Sequence, residues 1–149
     1  MLLKLCLLLI VCVALTSATC SRFSTTLYRL LRADESCYRG LEAKDTRARE
    51  SLEDHVGIGS SPGYTSQYIS TTTDLSKAIG WRDKYTRNRK RKIARITRND
   101  VNNAGCTVYD FNVASVKNQH LVSGKARKYA LEMCEVVLKC SRPLHCVYV

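Results

Sequence analysis

The chain has 149 residues, with 24 Lys+Arg against 13 Asp+Glu, eight Cys, seven Gly and two Pro, for a formal charge of +11. A length near 150 fits one domain, and a composition of 25% charged and 45% hydrophobic residues excludes wholesale disorder. Two prolines exclude collagen-like and Pro-rich architectures, and no run reaches the roughly 20 apolar residues of a bilayer span, so a multi-pass membrane protein is excluded.

Met1 to Ala18 (MLLKLCLLLIVCVALTSA) places one cation, Lys4, before an apolar run from Leu5 to Leu15, and small residues follow at Thr16, Ser17 and Ala18. That order predicts a secretory signal peptide over residues 1–18, cleaved after Ala18, and a mature domain over 19–149 located outside the cell. Cleavage removes Lys4 and no acid, so the mature charge is 23 minus 13, or +10. Cys6 and Cys12 leave with the signal, and Cys20, Cys37, Cys106, Cys134, Cys140 and Cys146 remain. Six cysteines in an oxidising compartment predict three disulfides, with the pairing open. Metal binding is not expected, because no Cys-x-x-Cys pair exists and no His lies three to five residues from another.

Along the mature chain, Leu27 to Leu31 is a short apolar run interrupted by Arg29. Gly57 to Gly63 (GIGSSPG) reads as a loop. Tyr68 to Thr72 is a predicted strand, and Thr73 or Asp74 then caps a short helix over Leu75, Ala78 and Ile79. Ile93 to Ile96 and Thr107 to Val113 are two further predicted strands. Ser123 caps a helix in which Ala126, Tyr129, Ala130 and Met133 form the apolar stripe. Cys134 to Cys140 (CEVVLKC) alternates, with Cys134, Val136, Leu138 and Cys140 on one side and Glu135, Val137 and Lys139 on the other. Helices and strands mix without a βαβ rhythm, which favours an α+β fold.

Arg82 to Arg98 carries nine Lys or Arg against the single acid Asp83. It reads either as a solvated loop joining helix to strand or as a surface for a polyanion such as nucleic acid, anionic glycan or lipid. Tyr85 is the one aromatic among the cations, too few for a stacking platform. Three other residues contradict their surroundings: Arg29 in an apolar run, Ser70 with Thr71 at a strand end, and Glu135 opening an apolar strand. Each also has an ordinary explanation: Arg29 on an exposed edge strand, Ser70 and Thr71 as β-prone filler, Glu135 facing solvent like Lys139.

Taken together, and in order, these blocks resemble ADP-ribosyltransferases of the Arg–Ser–Glu type, the class of the cholera and heat-labile enterotoxin catalytic subunits, and are most similar to small secreted relatives of those toxins. Leu27-Tyr28-Arg29 resembles the first-strand motif, Gly40 to Asp45 (GLEAKD) the segment after it, and Glu53 to Val56 with Gly59-Ser60 the next block. Gly63 to Thr72 (GYTSQYISTT) resembles the Ser–Thr–Ser strand and its approach, and Asp74 to Ala78 the helix start beyond it. Lys128-Tyr129-Ala130 and Glu135 to Lys139 resemble the catalytic-glutamate strand, so the blocks spread from Leu27 to Pro143.

The resemblance implies a split β-sandwich with short flanking helices, here stabilised by disulfides. It implies NAD as substrate and cleavage of its nicotinamide–ribose bond through an oxocarbenium-like transition state. Glu135 would stabilise the developing cation, Ser70 would orient Glu135 and the sugar, and Arg29 would offer a planar fork to a phosphate or ribose. Thr71 would support that strand near the cofactor, Tyr68 or Tyr64 would stack on nicotinamide, and His55 would contact the adenosine side or only cap a turn. Arg39 also follows a Tyr, but it abuts the GLEAKD block, and Arg29 is preferred. Relatives that modify arginine carry a second Glu two residues before the catalytic one, and here that position is Met133. The acceptor, whether protein, nucleic acid or water, is therefore open. A catalytically lost cationic binding or antimicrobial module on the same fold is the alternative.

Overall fold

A computed structural model of the chain describes residues 19–85 and 91–149. The expected signal peptide and positions 86–90 of the basic segment lie outside the described residues. The elements are β1 (Thr26–Leu30), α1 (Leu52–Ile58), β2 (Ile69–Thr72), α2 (Leu75–Tyr85), β3 (Ile93–Thr97), α3 (Arg98–Asn103), β4 (Cys106–Asp110), α4 (Ala114–His120), α5 (Gly124–Glu132), β5 (Glu135–Cys140) and β6 (Val147–Tyr148). The class is α+β. The strands form one antiparallel sheet in the order β4-β5-β2-β1-β3-β6.

This sheet is nearly divided. β2 pairs with β5 over four positions, Ile69 to Thr72, and β1 pairs with β3 over five. Between β2 and β1 a single registered pair remains, Tyr28 opposite Thr72. Each side of the sheet buries its own cluster. Leu27, Ile69, Ala94, Ile96, Val136 and Leu138 pack with Val101 and Ala104 of the α3 region. On the opposite face Val137 packs with Leu52 and Val56 of α1, Ala126 and Ala130 of α5, Phe111 and Leu121. With an apolar layer on each face, β5 reads as a near-continuous buried run from Glu135 to Leu138.

Local chemistry accounts for most boundaries. Ser51 caps α1 by accepting from the Asp54 amide, and Gly57 and Ile58, expected in a loop, complete the last turn of that helix. The Asp74 carboxylate accepts the Ser76 amide at 2.8 Å and opens α2. Ser123 caps α5 as expected, although the stripe is narrower, with Ala126 and Ala130 buried and Tyr129 largely exposed. β4 ends at Asp110 rather than Val113, because the Asp110 carboxylate accepts the Asn112 amide at 3.0 Å and turns the chain. Of the described part of the basic segment, residues 82–85 end α2, Arg91 and Lys92 lead into β3, and Arg98 opens α3.

Three disulfides close the fold: Cys20–Cys134, Cys37–Cys146 and Cys106–Cys140. They fit an extracellular protein. Cys134 has a positive φ of 49° and directly precedes Glu135, so the Cys20–Cys134 bond anchors the entry to β5. The Thr73 amide, at 3.1 Å, and the Asn112 side-chain amide, at 3.3 Å, both donate to the Cys134 carbonyl. Among the described residues no helix is long and apolar enough to cross a membrane.

Candidate active site

Arg29 is on a central strand, not an edge. Alternation along β1 sends its side chain to the same side as buried Leu27 and Leu31. There it fills the gap where β1 and β2 fail to pair. Its Nη1 donates to the Ser70 carbonyl at 2.6 Å, so a guanidinium takes the place of a ladder hydrogen bond. The rest of the fork meets a carboxylate that sequence reasoning missed. Glu35 accepts from Nε at 3.2 Å and from Nη2 at 2.9 Å, and it also receives the Arg32 amide at 2.7 Å and Arg32 Nη1 at 2.6 Å. The side chains of Arg29 and Glu35 are only 11% and 4% exposed. Nε, one Nη1 and one Nη2 hydrogen of the five guanidinium donors are thus used, leaving two.

Ser70 and Glu135 meet on the other face. Register puts Thr72 opposite Glu135 and Ser70 opposite Val137, so both side chains leave the sheet toward α1 and α5. Ser70 Oγ donates to Glu135 Oε1 at 2.8 Å. Glu135 is 7% exposed, not solvent-facing like Lys139, because β5 is a central strand covered on both faces. Burial raises its carboxyl from 4.5 to about 7, against the lowering effects of the Ser70 hydrogen bond and the Arg29 charge.

His55, on α1, extends the constellation. Its Nε2 lies 2.8 Å from Ser70 Oγ and its Nδ1 2.7 Å from Ser66 Oγ. Burial, with the charges of Arg29 and Lys44, lowers the imidazole to about 4, so it is neutral at physiological pH. The directions of these bonds follow. Ser70 gives its one hydroxyl proton to Glu135 and therefore accepts from His55 Nε2–H. Nδ1 is then the acceptor, and Ser66 donates to it. A directed chain runs Ser66, His55, Ser70, Glu135. Glu53 fixes the helix that carries His55, because its carboxylate accepts the Val122 amide at 2.5 Å and the Ser123 amide at 2.7 Å, joining α1 to the start of α5.

The remaining expected residues divide. The Tyr68 ring lies 5.3 Å from the His55 ring and 6.1 Å from Tyr109, so it flanks the chain. The Tyr64 hydroxyl is buried without a partner, and burial raises it to about 12. Thr71 points to the opposite face from Ser70 and donates to the Val136 carbonyl at 2.6 Å, which holds β2 to β5. Arg39 is exposed and donates to the Asp34 carbonyl at 2.9 Å, whereas it is Arg29 that donates to Ser70. Met133 caps the C-terminus of α5 rather than lying in a strand, and Glu132 ends that helix 3.8 Å from Lys128. A cleft of about 310 Å³ is lined by Arg32, Glu35, Ser36, Arg39, Glu42 and Lys44, among others; Arg29, Ser70 and Glu135 do not line it.

No protein-family model, curated protein or solved structure matches the chain.

Proposed function

We propose that the protein cleaves the nicotinamide–ribose bond of NAD outside the cell, as an NAD glycohydrolase or mono-ADP-ribosyltransferase. The observation that carries this reading is the Arg29–Ser70–Glu135 constellation. Residues 41 and 65 positions apart are joined through the two oxygens of one serine, its carbonyl to Arg29 and its hydroxyl to Glu135. Departure of nicotinamide leaves positive charge on the ribose, and a buried carboxylate is the side chain suited to stabilise it. Ser70 holds Glu135, and His55 holds Ser70. Arg29 acts chiefly as the pin across the divided sheet, with two N–H groups left for a ligand.

Water fits best as the acceptor. Glu132, the carboxylate nearest in sequence to the place of a second catalytic acid, is turned to Lys128 on α5. Mass spectrometry of NAD incubated with the mature protein is expected to find nicotinamide and free ADP-ribose in equal amounts. ADP-ribose attached to an added protein or single-stranded nucleic acid moves the reading to transfer. No nicotinamide release from any mixture defeats it.

The reaction needs Glu135 ionised. Its titration near pH 7 predicts that kcat/KM rises about tenfold per pH unit below 7 and levels above it. A profile already flat from pH 5 upward would remove Glu135 from the rate-limiting chemistry. A second reading, a cationic module without catalysis, is favoured by Glu35, which already occupies Nε and one Nη2 hydrogen of the Arg29 fork. It predicts no NAD turnover at any pH.

A further inference from the structure

Tyr38 is 90% exposed, the most exposed large hydrophobic side chain among the described residues. It is also well supported. Cys37 is bonded to Cys146, and Leu41 and Leu144 exchange backbone hydrogen bonds of 2.8 and 2.9 Å. Tyr148 buttresses the loop from β6. Its ring lies 5.6 Å from that of Tyr38 at 69°, and its hydroxyl meets Ser36 Oγ at 3.0 Å and accepts the Cys37 amide at 3.2 Å. A flat ring held out on a cross-linked loop presents its π face with little ordering left to do on binding.

The surroundings are cationic. Lys92 Nζ stands 4.3 Å over the Tyr148 ring. Arg39 follows Tyr38 directly and is exposed. Of the nearby acids, Asp34 accepts from Arg32 Nε at 3.1 Å and Glu35 is enclosed by Arg29 and Arg32, while Glu42 lines the adjoining cleft. The cleft that begins at the same loop is lined by the cations Arg32, Arg39 and Lys44 together with the acids Asp34, Glu35 and Glu42. An exposed ring alone suits many ligands. A ring flanked by cations, on a chain of net charge +11, selects one that alternates flat rings with anions.

We propose that Tyr38 and Tyr148, with Arg39 and Lys92, form a binding surface for single-stranded nucleic acid, in which a base stacks on Tyr38 and the neighbouring phosphates meet Arg39 and Lys92. The surface does not include Glu135 or Ser70, and Glu135→Gln should bind as the unsubstituted protein does. Stacking accepts any base, so binding is independent of sequence. The test is fluorescence anisotropy of a fluorescein-labelled oligothymidylate, titrated at several salt concentrations. Tyr38→Ala is expected to weaken binding about tenfold and Tyr38→Trp to preserve it, consistent with a stacking contribution of about 1–3 kcal/mol per base. Arg39→Gln with Lys92→Gln should make the slope of log K against log salt shallower by about 1.4, since two phosphate contacts are lost. Unchanged affinity in Tyr38→Ala overturns the proposal, as does absence of binding at low salt. A heparin fragment that binds as tightly and loses as much in Tyr38→Ala also overturns it, since the surface would then read sugars.

Discussion

Glu135→Gln is expected to lower nicotinamide release by at least about a hundredfold while making the protein more stable. The two effects share a cause. The carboxyl is raised from 4.5 in the unfolded chain to about 7 in the fold, chiefly by burial. Between those values the folded state binds the proton more tightly, so its stabilising effect is present at low pH and is lost as pH rises toward 7. At about 1.4 kcal/mol per unit, ionising Glu135 costs the fold about 3 kcal/mol at pH 8. Glutamine keeps an oxygen for the Ser70 hydroxyl and never ionises. The variant should therefore gain about 2–3 kcal/mol over the unsubstituted protein at pH 8 and almost nothing at pH 4.5. Urea unfolding across that range measures the gain, and nicotinamide release from NAD measures the loss. Undiminished turnover sinks the catalytic assignment, and a variant less stable at pH 8 sinks the electrostatic account.

The opposite result is expected at Arg29. Arg29→Met removes the cation from a buried carboxylate and the donor from the Ser70 carbonyl. Breaking a buried pair from one side typically costs about 3–5 kcal/mol. Here the low end, about 3 kcal/mol, is expected, because Arg32 still donates its amide and Nη1 to Glu35. Adding Glu35→Gln to Arg29→Met removes the stranded charge and should return at least half of the loss. Glu35→Gln alone should cost less than Arg29→Met, since the guanidinium is not fully enclosed and keeps Ser70. Thermal and urea unfolding of the four proteins form a double-mutant cycle. Additive losses would mean that the two side chains do not depend on each other and that the divided sheet is held by something else.

Much of the fold was legible from patterns of two and 3.6 residues. β2, α2, α5 and the two faces of β5 lie where alternation, Asp74 and Ser123 put them. α1 and α3 were overlooked although Ser51 and Thr97 each accept an amide three residues on, a signal present in the sequence. α4 has no side-chain cap and no buried residue, and β6 is two residues long, so both owe their form to neighbours rather than to local preference. The site divides in the same way. Arg29, Ser70 and Glu135 stand out by chemical type and His55 enters only through the resemblance, and the structure joins all four through Ser70. Glu35 belongs to no periodic element, and nothing about its spacing from Arg29 announces a pair. Thr71, adjacent to Ser70 on β2, takes the other face of the sheet and ties β2 to β5 through the Val136 carbonyl. The disulfide pairing depends on which strands become neighbours, and that is a property of the whole sheet.

The chain from His55 to Glu135 has a consequence for the proton inventory of the molecule. Between about pH 4.5 and 6.5 the unfolded chain carries its proton on the imidazole and none on the carboxyl. The folded protein has the reverse occupancy in that interval. Folding relocates one hydrogen ion from nitrogen to oxygen and exchanges almost none with the buffer. Two large and opposed acid–base sensitivities thereby offset each other within one hydrogen-bonded chain, and together they add almost no pH dependence to stability across that interval.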